Sequence, residues 1–249
     1  MRLVYAANRS IGVRGLALLR RAGVEPIALL LPSGAATSHN AELRAAVGSA
    51  VPVLEGTVFK EPEGLSRLAA LAPDYILSVH YPYLFTRSVL DIPKLGTLNL
   101  HPAFLPYNRG WHTPSWAIID GTPIGATLHW VDEGVDSGDV AMQSEVKIHP
   151  DDTAHSLYQR LVQVELELLE AAIGPLKAGT LPRRPQVSSG SSHRRADLAA
   201  VQRLEMTKSV RVGELIDLLR ALTTNNPDEA AYFVDSGRRY RVRIEISES

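Results

Sequence analysis

Apolar positions along the first three quarters of the chain fall into two alternating rhythms. Leu3 to Ala7 is a continuous apolar run of strand length, followed by the polar turn Asn8-Arg9-Ser10-Ile11-Gly12. Arg14 to Ala22 then sets Leu16, Leu18 and Leu19 at helical spacing until Gly23 stops it, and Val24 to Leu31 predicts the next strand. The order repeats more loosely: Leu65 to Ala72 predicts a helix, Tyr75 to Val79 a strand, and Gly96 to Leu100 another short strand. Thr127 to Val131 and Val140 to Ile148 predict two further strands, joined by the polar, glycine-containing segment Asp132 to Asp139. Thr153 to Ala178 predicts a long amphipathic helix whose stripe of Leu157, Leu161, Leu166, Leu168 and Leu169 is core packing. Strands alternating with helices imply an α/β domain with a parallel sheet.

Beyond that helix the pattern breaks. Pro182 to Arg195 is made of Pro, Ser, Arg and Gly and reads as an extended connection, its serine-rich part the only approach to low complexity. Val212 to Leu222 then predicts a helix, and Ala231 to Val234 with Tyr240 to Ile246, separated by Asp235-Ser236-Gly237, predict a β-hairpin. The expected organisation is a main domain over residues 1–182, a linker over 183–206, and a small helix-and-hairpin subdomain over 207–249.

The 249 residues are 45% hydrophobic and 21% charged, which excludes a disordered or rod-like chain. A formal charge of -1 provides no field for a polyanion, so the reading is no nucleic acid as partner. With zero cysteines there are no disulfides, thiol nucleophiles or thiolate metal sites, and the chemistry falls to nitrogen and oxygen side chains. Val24 to Pro32 is far short of the roughly 18 residues of a membrane span, so no membrane association is expected. The start reads as a buried strand rather than a signal peptide, and the expected location is cytoplasmic.

Ligands of open α/β sheets bind beyond the carboxyl ends of the strands. There the strand Gly96 to Leu100 alternates Asn99 and His101 onto one face, before Pro102 and Pro106 force an irregular loop, and a later loop supplies Asp136. An amide donor, an imidazole that moves protons and a carboxylate that orients it suit acyl transfer without a covalent intermediate. Each has a bland reading. Alone, Asn99 is more often a turn former, and Asp136 is equally a turn residue before Gly138. His101, His112 and His129 lack a local metal-ligand spacing, so the expectation is metal: none, with His129 a structural histidine on an apolar strand. Trp116 is expected beneath the loop, while Trp111 either packs there or stacks on a substrate.

Asn99-Leu100-His101-Pro102, then Leu105-Pro106-Tyr107-Asn108-Arg109-Gly110, Gly125-Ala126-Thr127-Leu128-His129 and Val135-Asp136-Ser137-Gly138-Asp139 come in the order found in the folate-dependent formyltransferases, which this chain resembles. The pattern is strong over about residues 75 to 160 and weak over the first 70. Within the family the chain is most similar to N-formyltransferases of nucleotide-linked amino sugars, through Leu105 to Trp111, through Asp136 to Val140 followed by Gln143, and through its short tail. Glycinamide ribonucleotide formyltransferases open with a glycine- and serine-rich phosphate loop, where this chain has Ala7 to Gly12. Methionyl-tRNA formyltransferases carry a larger, more basic tail, whereas residues from Arg183 onward hold 12 basic against 9 acidic side chains.

The resemblance implies a doubly wound, mostly parallel sheet of formyltransferase type with a small C-terminal subdomain containing the hairpin, assembled as a homodimer. It implies N10-formyltetrahydrofolate as formyl donor, no metal, and a primary amine on a nucleotide-linked amino deoxysugar, dTDP the expected carrier, as acceptor. Asn99 then donates to the developing oxyanion and Asp136 orients His101. His101 either deprotonates the incoming ammonium or supports the oxyanion as imidazolium. Folate contacts are expected from Tyr81, Leu84 and Phe85 and from the backbone of Asp132, Glu133 and Val135. Contacts to the nucleotide sugar are expected from Asn8, Arg9 and Ser10 and from Tyr107, Arg109 and Trp111. Leu105-Pro106 is a candidate cis peptide. Arg239, Arg241 and Arg243 form either a surface edge or a diphosphate clamp. The alternatives are a formyltransferase for another small amine, a non-catalytic nucleotide-sugar or folate binder, and a formyl-folate hydrolase.

Overall fold

Leu3–Ala7, the first apolar run, is buried throughout and forms β1 in the middle of a seven-stranded sheet. The computed structural model describes residues 1–187 and 190–248; Ser188 and Ser189, in the serine-rich part of the expected linker, and Ser249 lie outside the described residues. After β1 come α1 (Arg9–Arg21), β2 (Pro26–Leu31), α2 (Asn40–Val47), β3 (Val53–Glu55), α3 (Pro62–Ala70), β4 (Tyr75–Val79), α4 (Arg87–Leu90) and β5 (Gly96–His101). They are followed by β6 (Arg109–Gly110), α5 (Thr113–Asp120), β7 (Ile124–Trp130), β8 (Val140–Val146) and α6 (Ala154–Ala178). The remainder is β9 (Ser192–His193), α7 (Asp197–Val201), α8 (Val212–Leu222), β10 (Ala231–Asp235) and β11 (Arg238–Val242).

The sheet order is β3-β2-β1-β4-β5-β7-β8. The chain starts at β1, winds outward through β2 to β3, then returns to the other side of β1 with β4 and β5, all in parallel. That reversal is the doubly wound topology, and its switch point lies between β1 and β4. Continuous apolar runs such as Leu3–Ala7 and Tyr75–Val79 suit strands covered on both faces. β7 then pairs antiparallel with β5.

Where observed elements depart from the pattern, the causes are local. The expected turn over residues 8–12 is instead the first turn of α1, because Ile11 and Gly12 pack onto β1, with Gly12 so near Ala7 that a Cβ there would lie 3.0 Å from its methyl. β2 begins at Pro26 rather than Val24, since proline has no N–H to give a ladder and sits at strand starts. The short β3 and α2 carry too little periodicity to be seen. In α5 the apolar residues surround the helix rather than striping it, and Trp116, Ala117 and Ile118 are all buried. In the tail hairpin Ser236 and Gly237 form a two-residue turn with φ of 48° and 75°, so β11 starts two residues ahead of expectation.

The residues gather into two compact units. One holds 1–101, 127–143 and 165–186, the other 102–126, 144–164 and 187 onward. In the first, Val4, Ala28, Leu30, Phe59 and Ile76 centre a core closed by Tyr81 and Phe85. Its last segment runs beside β8: Val140 and Arg184 exchange both backbone hydrogen bonds, at 2.8 and 3.0 Å. In the second, Ala117, Ile124, Leu157 and Ala221 form one cluster and Trp116, Leu198, Leu222 and Ala231 another. Buried Arg220 ties α8 to the turn before α6, donating to the carbonyls of Asp152 and His149 at 2.7 and 2.6 Å. All five leucines of the α6 stripe are buried. No helix of the described residues is long and apolar enough to cross a membrane.

Candidate active site

β1, β4 and β5 end side by side, with Ala7 opposite Val79 and Val79 opposite Leu100, so Asn8, His80 and His101 stand next to one another at the carboxyl edge. Alternation along β5 then turns Asn99 to the same face as His101. Because β7 runs antiparallel to β5, Asn99 faces His129 directly and His101 faces Thr127.

Asp136 reaches these groups from the loop between β7 and β8. Its Oδ2 lies 3.4 Å from His101 Nε2, and its Oδ1 lies 3.4 Å from both His129 Nε2 and Asn99 Nδ2. Asn99 Nδ2 is also 3.2 Å from His129 Nε2. The protons of this cluster can be assigned. His129 Nδ1 sits 2.8 Å from the carbonyl oxygen of Trp130, an acceptor, and therefore carries the hydrogen. In neutral His129 the Nε2 lone pair then accepts from Asn99, so the Asn99 amide points its nitrogen at two acceptors. Its bond to Asp136 is long, and turning one N–H toward a third acceptor sacrifices little. Asp136 meanwhile stands between two imidazole Nε2 atoms, and with that of His129 turned to Asn99, His101 is the one with which it can share a proton.

The loop that carries Asp136 is shaped from within. Asp132 Oδ1 accepts from the Gly134 N–H at 3.0 Å and the Ser137 hydroxyl at 2.7 Å, and Trp130 N–H donates to the Asp139 carbonyl at 2.8 Å. Asp136 has φ 50°, in the left-handed region that Asp tolerates better than most residues. At Gly138 the chain presses so closely on the Trp130 carbonyl that a Cβ would collide with backbone. Gly138→Ala therefore displaces the loop: the expected result is a loss of about 1–3 kcal/mol in a denaturant melt, as for other overpacked sites, together with most of the activity. A variant with wild-type stability and turnover counts against this reading of the loop.

The other expected site residues divide. Asn8 is buried, and its amide donates to the Ala36 carbonyl at 3.0 Å and accepts from Ser38 N–H at 3.1 Å, so it holds the segment after β2. Arg9 and Ser10 are exposed at the start of α1. Tyr81 and Phe85 have their rings in the core, stacked at 5.9 Å, and burial drives the Tyr81 phenol well above its ordinary pKa, so it stays neutral. Leu84 between them is 65% exposed, and Val135 is 46% exposed. Glu133 is exposed. Tyr107, Arg109 and Trp111 belong to the second unit, where β6 pairs with β9, the Leu105-Pro106 peptide is cis, and Arg195 lies over the Trp111 ring at 5.2 Å. Trp116 is buried there against His193, their rings parallel at 3.9 Å. In the tail Arg241 pairs with Asp228 at 2.8 Å, Arg239 lies over the Tyr232 ring and Arg243 donates to the Thr224 carbonyl, which fits the surface-edge reading of these arginines.

One residue at the edge escaped the sequence reading, and another has neighbours that the sequence did not show. His129 is a satisfied histidine, as expected, yet it is also the direct neighbour of Asn99 and Asp136. His80, with φ 51°, sends Nε2 to both oxygens of Glu165 at 2.8 and 3.1 Å, with both side chains buried; this ties the start of the Tyr81–Phe85 segment to α6. A histidine closing a strand was the only local signal for His80, its partner lying 85 residues away. Among the described residues no group of three or more His, Asp or Glu is placed to hold a metal ion.

Residues 35–173 match the formyl transferase family, and residues 197–248 match the N-formyltransferase dimerization C-terminal domain. The chain is 33% identical over 172 residues to dTDP-4-amino-4,6-dideoxyglucose formyltransferase of Mycobacterium tuberculosis, covering 69% of this chain and 72% of that one. It is 37% identical over 150 residues to methionyl-tRNA formyltransferase of Syntrophus aciditrophicus, covering 60% of this chain and 48% of that one. Its fold is shared with the X-ray structure of a sugar N-formyltransferase from Shewanella sp FDAARGOS_354, at a TM-score of 0.86 and 21% identity over 100% of this chain and 99% of the other. With a catalytic-type cluster at the carboxyl edge, a family match across more than half its length and a mycobacterial relative aligned over most of both chains, the protein belongs to the formyl transferase family.

Proposed function

We propose that the protein transfers the formyl group of N10-formyltetrahydrofolate to the primary amine of a nucleotide-linked amino deoxysugar, with dTDP as the nucleotide. The observation that carries the reading is the convergence of Asn99, His101 and Asp136, from two separate chain segments, at one edge of a formyltransferase-family sheet. The sugar class follows the mycobacterial relative, and the match of residues 197–248 to the dimerization domain favours a homodimer formed through that segment. Val212, Ile216 and Tyr240 in that segment are exposed, 74%, 41% and 43%, and are available to such a contact. The reading places the enzyme in the cytoplasm.

The donor supplies a formyl carbon whose bond to the folate nitrogen is exchanged for one to the acceptor amine, while one proton leaves the amine and one reaches the departing nitrogen. The residues present suit that demand. Asn99 Nδ2 turns a donor to the formyl oxygen as charge grows there, and its long contact with Asp136 is the one it can release. His101 Nε2 and Asp136 Oδ2 form the pair that takes and returns the proton. Folate contacts are assigned to Tyr81, Leu84 and Phe85 and to the backbone at Asp132, Glu133 and Val135; in the first group the exposed side chain is that of Leu84. Contacts to the nucleotide sugar are assigned to Asn8, Arg9 and Ser10 and to Tyr107, Arg109 and Trp111. Of the first three, Arg9 and Ser10 offer exposed side chains and Asn8 acts by shaping the segment around them.

The test is a mass-spectrometric assay with N10-formyltetrahydrofolate and a panel of dTDP-linked 3-amino and 4-amino deoxysugars, beside a no-acceptor control. A formylated sugar is expected. Formate released equally without acceptor identifies a hydrolase, and folate binding with no turnover of any sugar moves the acceptor to another small amine or the protein to a binding role.

A further inference from the structure

Gln186 closes a segment whose Pro/Arg composition reads only as linker. It lies two residues beyond Arg184, whose backbone is laddered to Val140 in both directions, so the main chain beside it is fixed. From there its half-buried side chain reaches the loop of Asp136. Nε2 lies 2.9 Å from the carbonyl oxygen of Asp136 and 2.7 Å from that of Gly138. A primary amide nitrogen carries two hydrogens, and the two carbonyls take one each.

The Asp136 carbonyl fixes the plane of the peptide after it and therefore ψ at Asp136, in a residue already at φ 50°. With φ and ψ both set, the Cα–Cβ bond has one direction, and the carboxylate is aimed at His101 and His129. The second bond, to Gly138, holds the other side of the turn where the chain presses on Trp130. The first half of the loop is organised by Asp132, through Gly134 and Ser137. The division of labour is thus sequential: Asp132 shapes the approach, and Gln186 holds the residue that carries the carboxylate and the exit.

We propose that Gln186 is a positioning residue for formyl transfer, which sets the orientation of the Asp136 carboxylate through paired hydrogen bonds to the Asp136 and Gly138 carbonyls. The proposal rests on Asp136 being the proton-handling carboxylate of the reaction. It makes catalytic geometry depend on a residue in the connecting segment.

Gln186→Met keeps length and volume while removing both N–H groups. Gln186→Glu keeps shape but sets a carboxylate oxygen against two carbonyl oxygens at neutral pH. Steady-state formylation by both variants, by Asp136→Asn and by the Gln186→Met/Asp136→Asn double variant is measured with N10-formyltetrahydrofolate and the dTDP-linked amino sugar that the wild type formylates. For Gln186→Met, kcat is expected to fall about ten- to a hundredfold, the scale of a carboxylate misplaced by about an ångström, with KM for both substrates held within about threefold. Gln186→Glu is expected to lose more. In the Asp136→Asn background Gln186→Met should cost nothing further, since its effect passes through the missing carboxylate.

A wild-type kcat in Gln186→Met overturns the proposal. So does a loss that appears in KM rather than kcat, or one of equal size in both backgrounds, which is the signature of a general structural role. Should Gln186→Met fail to fold, Gln186→Glu carries the same comparison. A wild-type turnover in Asp136→Asn removes the catalytic assignment itself, whereas an inactive Asp136→Asn beside a fully active Gln186→Met overturns the role of Gln186 alone.

Discussion

Asp136→Asn is expected to lower kcat by about a thousandfold while leaving KM for the amino sugar within about threefold, because the substitution keeps the size of the side chain and removes only its charge and its capacity for a proton. General acid–base groups typically contribute about 10²–10⁴. In the proposed mechanism this one works with His101, whose Nε2 lies at 3.4 Å. An amide in its place can still hydrogen-bond to that imidazole but cannot take up a proton. The loop should survive, since the bonds that hold it involve Asp132, Gly134, Ser137 and the backbone carbonyl of Asp136 rather than its carboxylate. A thermal melt matching wild type, set beside the kinetics, therefore separates lost chemistry from lost fold. A kcat within fivefold of wild type excludes Asp136 from the proton path.

Asn99→Ala should be nearly as damaging, with kcat down about 10²–10³, or about 3–4 kcal/mol, the range found when a preorganised oxyanion donor is removed from an enzyme. Its structural competitor is definite: Asn99 as a strand-end polar residue satisfying its neighbours. That reading predicts a stability loss with turnover preserved, because His129 Nε2 and Asp136 Oδ1 both lose a donor. The kinetic reading predicts the reverse weighting. The loss should be in kcat, with dTDP-sugar binding by titration calorimetry unchanged within about threefold. The two substitutions should also fall short of additivity when combined, since Asn99 and Asp136 are in contact and the proposed mechanism has both act on the same step.

Much of this was legible in the chain. The strands β1, β4 and β5 are continuous apolar runs or alternations that end in polar side chains, and the order of the segments pointed to Asn99, His101 and Asp136, which the fold brings together. What stayed hidden is what depends on distant partners. His129 looks like a core histidine until the antiparallel register of β5 and β7 sets it against Asn99, 30 residues away in sequence. Gln186 sits among prolines and arginines, and nothing local says that its amide reaches two carbonyls about 50 residues earlier. Asn8 ends a strand at the carboxyl edge, and nothing local says that its buried amide is bound to the backbone at Ala36 and Ser38. Nor does the segment after β4 show which of its apolar side chains join the core: the rings of Tyr81 and Phe85 do, while Leu84 is exposed.

The antiparallel ladder between β5 and β7 also bears on how such an enzyme can be altered. Asn99 stays opposite His129 for as long as the pairing holds, and the loop that follows His101 can vary in length without changing that register. The intervening stretch contains Tyr107, Arg109 and Trp111, the residues assigned to the acceptor. On the proposed assignment, changes confined to these three side chains are a route to new acceptors, whereas α5 in the same stretch has to be kept, because its buried Trp116, Ala117 and Ile118 build the core of the second unit. A single residue inserted within Gly96–His101 or Thr127–Trp130, by contrast, would flip alternate side chains to the opposite face and separate amide from imidazole. Library diversity therefore belongs in the loop around Tyr107, Arg109 and Trp111, and chimeras should be spliced outside β7, whose seven residues are all buried.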